Sequence, residues 1–330
     1  MIKIIAMLIL IIGLGAGLYL VQHPQIFKPK AYDAPQGPIV RNINSEKGFQ
    51  IDLGTNKIPS QEVYNTLVPK WVRFVFFPDK GISSSIPATV RKLVVFNNES
   101  TDGAPMGKSD LRLWNKYIDN VYIPDLEAFL KKYSSIVNAI EVWNEEDICP
   151  SDEFCPGVPP RAYAYMLKKA AAKIKSYNPN IEVVIGGFNS GQLSYLQTMQ
   201  QAEPDVLNQV DAVGVHPYGT SPAGWCKDGK DVDCKGIVLP FGDLTDVLNM
   251  YKSATGKPVW VTEIGFGTED ETWQAKYLDK TFAVLSNNNV PVVIWYAWSD
   301  HMRGGIDEPN WGLVNERNTI KASGTEFQLF

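Results

Sequence analysis

Residue types that bind metals or nucleic acids are scarce in this chain. Its 330 residues include three histidines and four cysteines, and no two cysteines have Cys-x-x-Cys spacing. We therefore expect no metal site, and no other cofactor is indicated. Lysine and arginine total 31 against 36 acidic residues, the net charge is −5, and the basic residues form no run beyond Lys28-Pro29-Lys30. This balance argues against nucleic acid as a partner.

Charge is also absent from the N-terminal segment. Residues 4–21 carry no charged side chain, and only Lys3 precedes them. Such a segment is at the short limit of a membrane span and is long for a signal peptide core. We interpret residues 1–22 as a signal anchor or a signal peptide. The lack of a convincing Ala-x-Ala cleavage site favours the anchor, which would hold the protein in the membrane through residues 4–21 if it stays uncleaved.

The proline-rich residues 23–44 read as a linker, and residues 45–330 then form one catalytic domain. On either interpretation of the N-terminus this domain is extracytoplasmic, either membrane-anchored or secreted. The four cysteines form two local pairs in loop-like stretches, Cys149 with Cys155 and Cys226 with Cys234. Two short-range disulfides fit an exported protein. Metal binding is the alternative, and the spacing disfavours it.

After the linker, strand-like and helix-like segments alternate, which is typical of a parallel sheet with crossover helices. Eight strand candidates and the chain length indicate an α/β fold, a single (β/α)8 barrel of the TIM type. The strand candidates are residues 49–53, 71–77, 92–96, 139–143, 182–185, 212–215, 259–262 and 292–296. The clearest helical patterns are residues 122–133, 161–177, 193–202, 243–253 and 272–285. Between the second and third strands the helix should be short or missing.

Polar side chains recur where the predicted strands end. Since the carboxyl ends of barrel strands meet on one face, these side chains should converge there. Burying them without partners would be costly, so their convergence indicates an active site. The strand-end residues are Arg73, Asn97-Asn98-Glu99, Asn144-Glu145, Asn189, His216-Pro217-Tyr218, Glu263 and Trp298-Ser299-Asp300. For residues 97–99, a glycan subsite and ordinary loop polarity explain the sequence equally well.

Four short motifs, in this order along the chain, resemble clan A of the glycoside hydrolases. They are Trp-Asn-Glu at the fourth strand, His-Pro-Tyr at the sixth, Thr-Glu-Ile-Gly at the seventh and a tryptophan-rich eighth strand. Residues 211–218 and 258–263 are most similar to family 39, with family 5 cellulase-like enzymes next. The resemblance covers roughly residues 45–320. It departs at Glu145-Glu146-Asp147, where many members have Glu-Pro, which puts the loop after the fourth strand in doubt.

The resemblance implies a retaining double displacement by two carboxylates. Glu263 would be the nucleophile, and Arg73 would keep it ionised. Glu145 would be the acid/base, its pKa raised in part by the nearby negative charge. Because adjacent side chains on a strand point to opposite sides, Glu146 is the alternative acid.

The remaining site residues implied by the resemblance would bind the substrate. Asn144 would hold the sugar 2-hydroxyl, and His216 or Tyr218 would hold Glu263 or the sugar. Trp298 would form the floor under the sugar, with Tyr296 on the same face. For Arg73, His216, Tyr296 and Trp298 a purely structural role is the alternative. The expected partner is a carbohydrate, a β-linked polysaccharide or oligosaccharide. A catalytically silent glycan-binding barrel and a transglycosylase are the alternative functions.

Overall fold

The described residues form a closed barrel of eight parallel strands. A computed structural model describes residues 45–55, 57–148, 157–189, 193–302 and 310–330. The strands hydrogen-bond in chain order, and the first also pairs with the last. They are β1 Glu46–Gln50, β2 Trp71–Val75, β3 Arg91–Phe96, β4 Ala139–Val142, β5 Glu182–Asn189, β6 Ala212–His216, β7 Val259–Ile264 and β8 Val292–Trp295. The predicted (β/α)8 barrel is therefore confirmed.

Helices pack around the outside of the barrel. They are α1 Gln61–Leu67, α2 Leu111–Tyr117, α3 Ile123–Tyr133, α4 Pro160–Tyr177, α5 Leu193–Ala202, α6 Leu244–Thr255, α7 Glu271–Asn287 and α8 Ala322–Gln328. A π-helical turn, Ile118–Tyr122, joins α2 to α3. The five predicted helices agree with α3 to α7 within two residues at each end. Residues 76–90, between β2 and β3, contain no helix, as the sequence indicated.

Several predictions fall outside the described residues. These are the signal segment 1–22, the linker 23–44, and Cys149 with Cys155. The second predicted disulfide, between Cys226 and Cys234, is present. No helix in the described part of the chain has the length and apolar character needed to span a membrane.

The interior of the barrel has an apolar layer beneath a polar one. Trp71 and Trp260 meet edge to face in the apolar layer, with ring centroids 5.3 Å apart. The buried cluster that contains them is Trp71, Leu93, Ala139, Val184, Ala212, Trp260, Val292 and Ile294. Side chains alternate along a strand, so Arg73 shares a face with Trp71 and Glu141 shares one with Ala139. The charged residues thus lie directly above an apolar floor, toward the carboxyl ends of the strands.

The first strand begins three residues earlier than predicted. The sequence pattern places it at residues 49–53, but β1 is Glu46–Gln50. Both of its charged side chains have hydrogen-bond partners. Glu46 accepts a bond from the indole of Trp71 at 2.6 Å, and Lys47 Nζ donates to the carbonyl of Phe327 at 2.6 Å. Alternation of apolar residues does not indicate a strand that begins with two charged residues, so the sequence pattern places its start too late.

The fifth strand is longer than predicted. It continues through Gly186 and Gly187 to Asn189, with an irregular register between Ile185 and Phe188. A Cβ at Gly186 would come within 2.2 Å of Glu146 Oε2, and one at Gly187 within 1.9 Å of His216 Nε2. These glycines therefore make room for neighbouring side chains instead of ending the strand.

Candidate active site

Arg73 is the centre of a buried hydrogen-bond network at the barrel mouth. Its side chain, on β2, donates from Nε to Glu141 Oε2 at 2.6 Å and from Nη1 to Gln50 Oε1 at 3.0 Å. Nη1 also donates to Glu263 Oε1, and Nη2 donates to Asn144 Oδ1 at 2.7 Å. Because its four partners come from three other strands or their ends, β1, β4 and β7, Arg73 has one fixed orientation.

Glu145 and Glu263 face each other with His216 beside them. Glu145 follows β4, Glu263 lies near the end of β7, and His216 ends β6. One carboxylate oxygen from each glutamate and one ring nitrogen of His216 all lie within 4.8 Å of one another. His216 Nδ1 is 3.0 Å from Glu145 Oε1, and its Nε2 is 3.9 Å from Glu263 Oε1. The structure therefore brings together the two carboxylates that the sequence singled out.

Glu263 keeps its negative charge although only 12% of its side chain is exposed. Burial by itself raises the pKa of the Glu263 carboxyl, but the charges of His216 and Arg73 outweigh it. The hydroxyl of Tyr218 donates to Glu263 Oε2 at 2.8 Å, which also favours the ionised form. The net result is a pKa below the ordinary value for glutamate. A carboxylate held ionised in a cleft can act as a nucleophile.

His216 holds a proton more firmly than an ordinary histidine. Burial lowers the pKa of its ring, and the positive charge of Arg73 lowers it as well. The charge of Glu263 and the hydrogen bond to Glu145 raise the pKa by more than these two effects lower it. The net shift is upward. Which atom donates along the His216–Glu145 bond depends on the tautomer of the ring. The His216–Glu145 pair is therefore a place where one proton can be kept at the mouth.

The turn after β4 separates Glu145 from Glu146. Trp143 and Glu145 have φ angles of 77° and 52°, a conformation that is unfavourable for residues with a Cβ and that clusters at active sites. Glu145 contacts His216 in the mouth, whereas Glu146 is fully buried, with Oε2 against the backbone of Gly186. The geometry therefore supports Glu145 and not Glu146 as the acid.

Three aromatic rings form a wall beside Glu263. The rings of Tyr218, Tyr296 and Trp311 are mutually perpendicular within a few degrees, with centroid distances of 5.7–6.4 Å. Tyr296 contacts Tyr218, and its predicted role beside the sugar stays a prediction. Sequence reasoning missed Trp311, which comes from the segment after β8. Its one signal is that tryptophan is a frequent ring in binding sites.

Trp298 lies deeper than its predicted role as a sugar floor suggests. It is 4% exposed and belongs to the hydrophobic core, and its backbone N–H donates to the carbonyl of Gln50 at 3.1 Å. Its indole N–H has no hydrogen-bond partner among the described residues. The wall formed by Tyr218, Tyr296 and Trp311 is the nearer aromatic surface, and the role of Trp298 stays a prediction.

Glu141 is a second residue that sequence reasoning missed. It is fully buried on β4, accepts from Arg73, and accepts from Thr262 Oγ1 at 2.9 Å. The available signal was a charge in the middle of an apolar strand, since a buried carboxylate needs a partner. Asn97, by contrast, is used within its own turn, where its Oδ1 accepts from the backbone of Glu99 at 3.0 Å.

Among the residues that the structure describes, two groups of side chains lie close enough together to hold a metal ion. Cys226, Asp231 and Cys234 form one, but both of its thiols are committed to the disulfide. Glu145, His216 and Glu263 form the other. The guanidinium of Arg73 donates to Glu263, so a cation bound there would meet its positive charge. The arrangement is better suited to acid/base and nucleophilic chemistry.

Several solved structures have the same fold. A fungal β-1,4-galactanase is 15% identical, with 87% of this chain and 100% of its own covered and a TM-score of 0.59. A family 30 endoxylanase from Clostridium papyrosolvens C71 is 18% identical over 88% of this chain and 72% of its own (TM-score 0.55). A family 39 β-xylosidase from Caulobacter crescentus is 15% identical over 90% and 72% (0.54). At these identities the likeness shows the fold.

None of the curated proteins matches the chain. The family model described as glycosyl hydrolase catalytic core matches residues 112–327. The matched segment is about two thirds of the chain and includes Glu145, His216 and Glu263, while Arg73 lies before it. With the eight-stranded barrel and the facing carboxylates, this match identifies the chain as a glycosidase that belongs to the glycosyl hydrolase catalytic core family.

Proposed function

We propose that this glycosidase is a retaining enzyme that cleaves a β-linked polysaccharide or oligosaccharide by double displacement. The observation that carries the proposal is the approach of Glu145 and Glu263, whose carboxylate oxygens lie within 4.8 Å of each other. Retaining glycosidases hold their two carboxyl groups about 5–5.5 Å apart, whereas inverting enzymes separate them by about 6.5–9.5 Å to admit a water. The spacing here favours direct attack by one carboxylate.

In the first step Glu263 attacks the anomeric carbon. The carbon–oxygen bond to the leaving sugar breaks as an ester bond to Glu263 forms, and the leaving oxygen takes a proton from Glu145. Arg73 and Tyr218 hold the Glu263 oxygens in place, since each donates to a different one. Their bonds keep the nucleophile ionised and aimed before substrate arrives.

In the second step Glu145 acts as a base. It removes a proton from water, the water oxygen bonds to the anomeric carbon, and the ester to Glu263 breaks. His216 contacts Glu145 at 3.0 Å and, with its raised pKa, supports the exchange of a proton at that carboxyl. Asn144 is bonded through Oδ1 to Arg73, which leaves its amide N–H groups to donate to the sugar 2-hydroxyl.

The substrate class and the location rest on separate observations. Two of the similar structures are named for β linkages, a β-1,4-galactanase and a β-xylosidase, and the third is named an endoxylanase. These names support a β-linked substrate for this chain. The Cys226–Cys234 disulfide supports an extracytoplasmic location, because such bonds persist in oxidising compartments. The protein would then be secreted or held at the membrane by residues 4–21.

The test uses the full-length oxidised chain with the variants Glu145→Ala and Glu263→Ala. Wild-type protein is incubated with β-glucan, β-mannan, xylan and galactan, and new reducing ends are measured. NMR records the anomer that forms first. We expect release from one class, loss in both variants and a first product with retained configuration. An inverted first product would overturn the retaining mechanism, and unchanged release by Glu263→Ala would overturn the nucleophile assignment.

The same assay addresses the two other functions weighed for this chain. Transfer to an added acceptor sugar in preference to water would identify a transglycosylase. Binding of a glycan that Glu263→Gln leaves unchanged, with no turnover by wild type, would identify a silent binding barrel.

A further inference from the structure

One aromatic ring of the described residues stands apart from the others in its exposure. Phe241 is 62% exposed, while the remaining described tryptophan, tyrosine and phenylalanine side chains are buried or half-buried. Scattered exposed apolar residues are common and need no explanation. Phe241 has two further features that suit a binding role: its backbone is fixed, and its ring lies next to Gly219, beside the Tyr218 that holds Glu263.

The backbone of Phe241 is fixed to the segment that follows β6. The N–H of Phe241 donates to the carbonyl of Gly219 at 3.2 Å, and Ser221 N–H donates to the carbonyl of Gly242 at 2.8 Å. Leu244 N–H then donates back to Ser221 at 2.9 Å, where α6 begins. An exposed ring on a fixed backbone loses little freedom when it binds a ligand.

The disulfide loop further restrains this region. Cys226 and Cys234 are bonded within the loop between β6 and α6, and the N–H of Leu239 donates to the carbonyl of Cys226 at 2.9 Å. Phe241 comes two residues later. The loop is therefore attached both to itself and to the end of β6.

Phe241 lies close to the residue that holds the nucleophile. A Cβ at Gly219 would come within 2.6 Å of the ring of Phe241, and Gly219 has a φ of 67°, so glycine is required there. Gly219 is bonded directly to Tyr218, whose hydroxyl donates to Glu263. With consecutive Cα atoms about 3.8 Å apart, the ring lies within roughly 8 Å of Tyr218 Cα, at the rim of the mouth.

From these observations we infer that Phe241 is a stacking platform for a sugar unit of the same glycan, one that lies away from the bond being cut. The inference rests on the proposed function, since the ligand is the glycan held by Glu145 and Glu263. The apolar C–H face of a pyranose packs on a flat ring, and the exposed face of Phe241 offers that surface. Phe241 thereby gives the enzyme a preference for longer chains.

The test compares Phe241→Ala, Phe241→Trp and Val232→Ala in the full-length chain. Val232 is the matched control, because it is 95% exposed in the same loop and lies before Cys234. The probes are oligosaccharides, from disaccharide to hexasaccharide, of the polysaccharide that wild type cuts. For each variant the ratio of kcat/KM for the hexasaccharide to that for the disaccharide is measured. We expect Phe241→Ala to lower this ratio about three- to tenfold, Phe241→Trp to preserve it, and Val232→Ala to leave it at the wild-type value.

An unchanged ratio in Phe241→Ala, or an equal fall in Val232→Ala, would overturn the platform while the glycosidase assignment stands. If wild type cuts none of the glycans, the proposed catalytic function fails, and the platform is tested by binding alone. In that case Glu263→Gln is run in affinity gels containing xylan or galactan. If the polysaccharide slows migration of Glu263→Gln, and this effect is lost in the double variant with Phe241→Ala, the platform is supported. If the polysaccharide does not slow Glu263→Gln, the platform is overturned.

Discussion

Glu145 and Glu146 are neighbours in sequence but belong to two different groups of carboxylates. The mouth group is Glu141, Glu145 and Glu263. Each of its members has a cationic or hydrogen-bonding partner, supplied by Arg73 or His216. The rear group is Glu146 and Asp147, which are buried behind β4. One turn of backbone therefore divides carboxylates that have partners in the mouth from carboxylates that have few.

The rear group has few hydrogen-bond partners. Among the described residues, neither oxygen of Glu146 and only one oxygen of Asp147 has a hydrogen-bond partner. Tyr163, which lies near Glu146, donates its hydroxyl proton to the carbonyl of Val142 at 2.7 Å. Burial, followed by the charge of Asp147, raises the pKa of Glu146 well above its ordinary value. Burial likewise raises the pKa of Asp147 to about 6.

The contrast teaches that partners, and not burial alone, decide whether a carboxylate keeps its charge. Most of Glu263 is also removed from solvent, yet His216, Arg73 and Tyr218 bring its pKa below the ordinary value. A nucleophile needs that charge, and a buried carboxylate with a raised pKa is a poor one. Substitutions in the mouth group and in the rear group should therefore have different effects on activity and stability.

The largest difference is expected between Glu263→Gln and Glu146→Gln. Both substitutions keep the size and replace a carboxyl group with an amide, but only Glu263 forms the proposed ester bond. We expect Glu263→Gln to lower kcat by about 10⁴-fold or more, in the range found when a catalytic side chain is removed. Glu146→Gln should keep activity within a few-fold of wild type. Initial rates on the substrate found in the panel measure both, and a similar loss in the two variants would contradict the division.

Glu145→Ala should lose less, and its loss should depend on the leaving group. General acid/base catalysis contributes roughly 10²–10⁴-fold, so a polysaccharide should be cut slower by that factor. An aryl glycoside whose leaving group needs no proton should form the ester almost normally. Added azide, a nucleophile that requires no base, should then restore turnover and give a glycosyl azide of retained configuration. Failure of azide to form this product would place the acid/base elsewhere.

The barrel and much of the mouth group were predictable from sequence because both depend on local pattern. Alternation of strands and helices fixes the barrel, and polar residues at strand ends fix where Arg73, His216 and Glu263 converge. The same pattern reasoning left Glu145 and Glu146 as alternatives. The structure places Glu145, and not Glu146, beside His216, and no side-chain period reports the positive φ of that turn.

The features that sequence missed depend on contacts between distant residues. Trp311 reaches Tyr218 from the segment after β8, and Phe241 is hydrogen-bonded to Gly219 across a loop. Gly186 and Gly187 looked like the end of a strand, but they make room for Glu146 and His216. In each case the partner lies more than twenty residues away, and loops of that length cannot be placed from their composition.

Within the mouth group, Tyr218→Phe should weaken the partnership of Glu263 without removing the ring. The hydroxyl of Tyr218 donates to Glu263 and helps lower the pKa of that carboxyl, so its loss raises the pKa. The nucleophile works when ionised, and activity is lost as the pH falls through its pKa. The acidic limb of the kcat/KM profile should therefore move to higher pH, with a loss of roughly ten- to a hundredfold at the optimum. An acidic limb that stays in place would show that this bond does not tune Glu263.

In the rear group, Asp147→Asn should stabilise the fold at neutral pH. Folding raises the pKa of Asp147 from 3.8 to about 6, so the unfolded chain releases this proton first and stability falls as the pH rises from about 4 to 6. Asparagine keeps the bond that Asn189 N–H donates to Oδ1 and removes the buried charge. We expect urea denaturation at pH 7 to give a gain of about 1–3 kcal/mol, which disappears below pH 4. Glu269→Gln, at an exposed position after β7, should change little at either pH. An equal gain in the free energy of unfolding at both pH values would mean that packing distinguishes Asp147 from the carboxylates of the mouth, and that its buried charge does not.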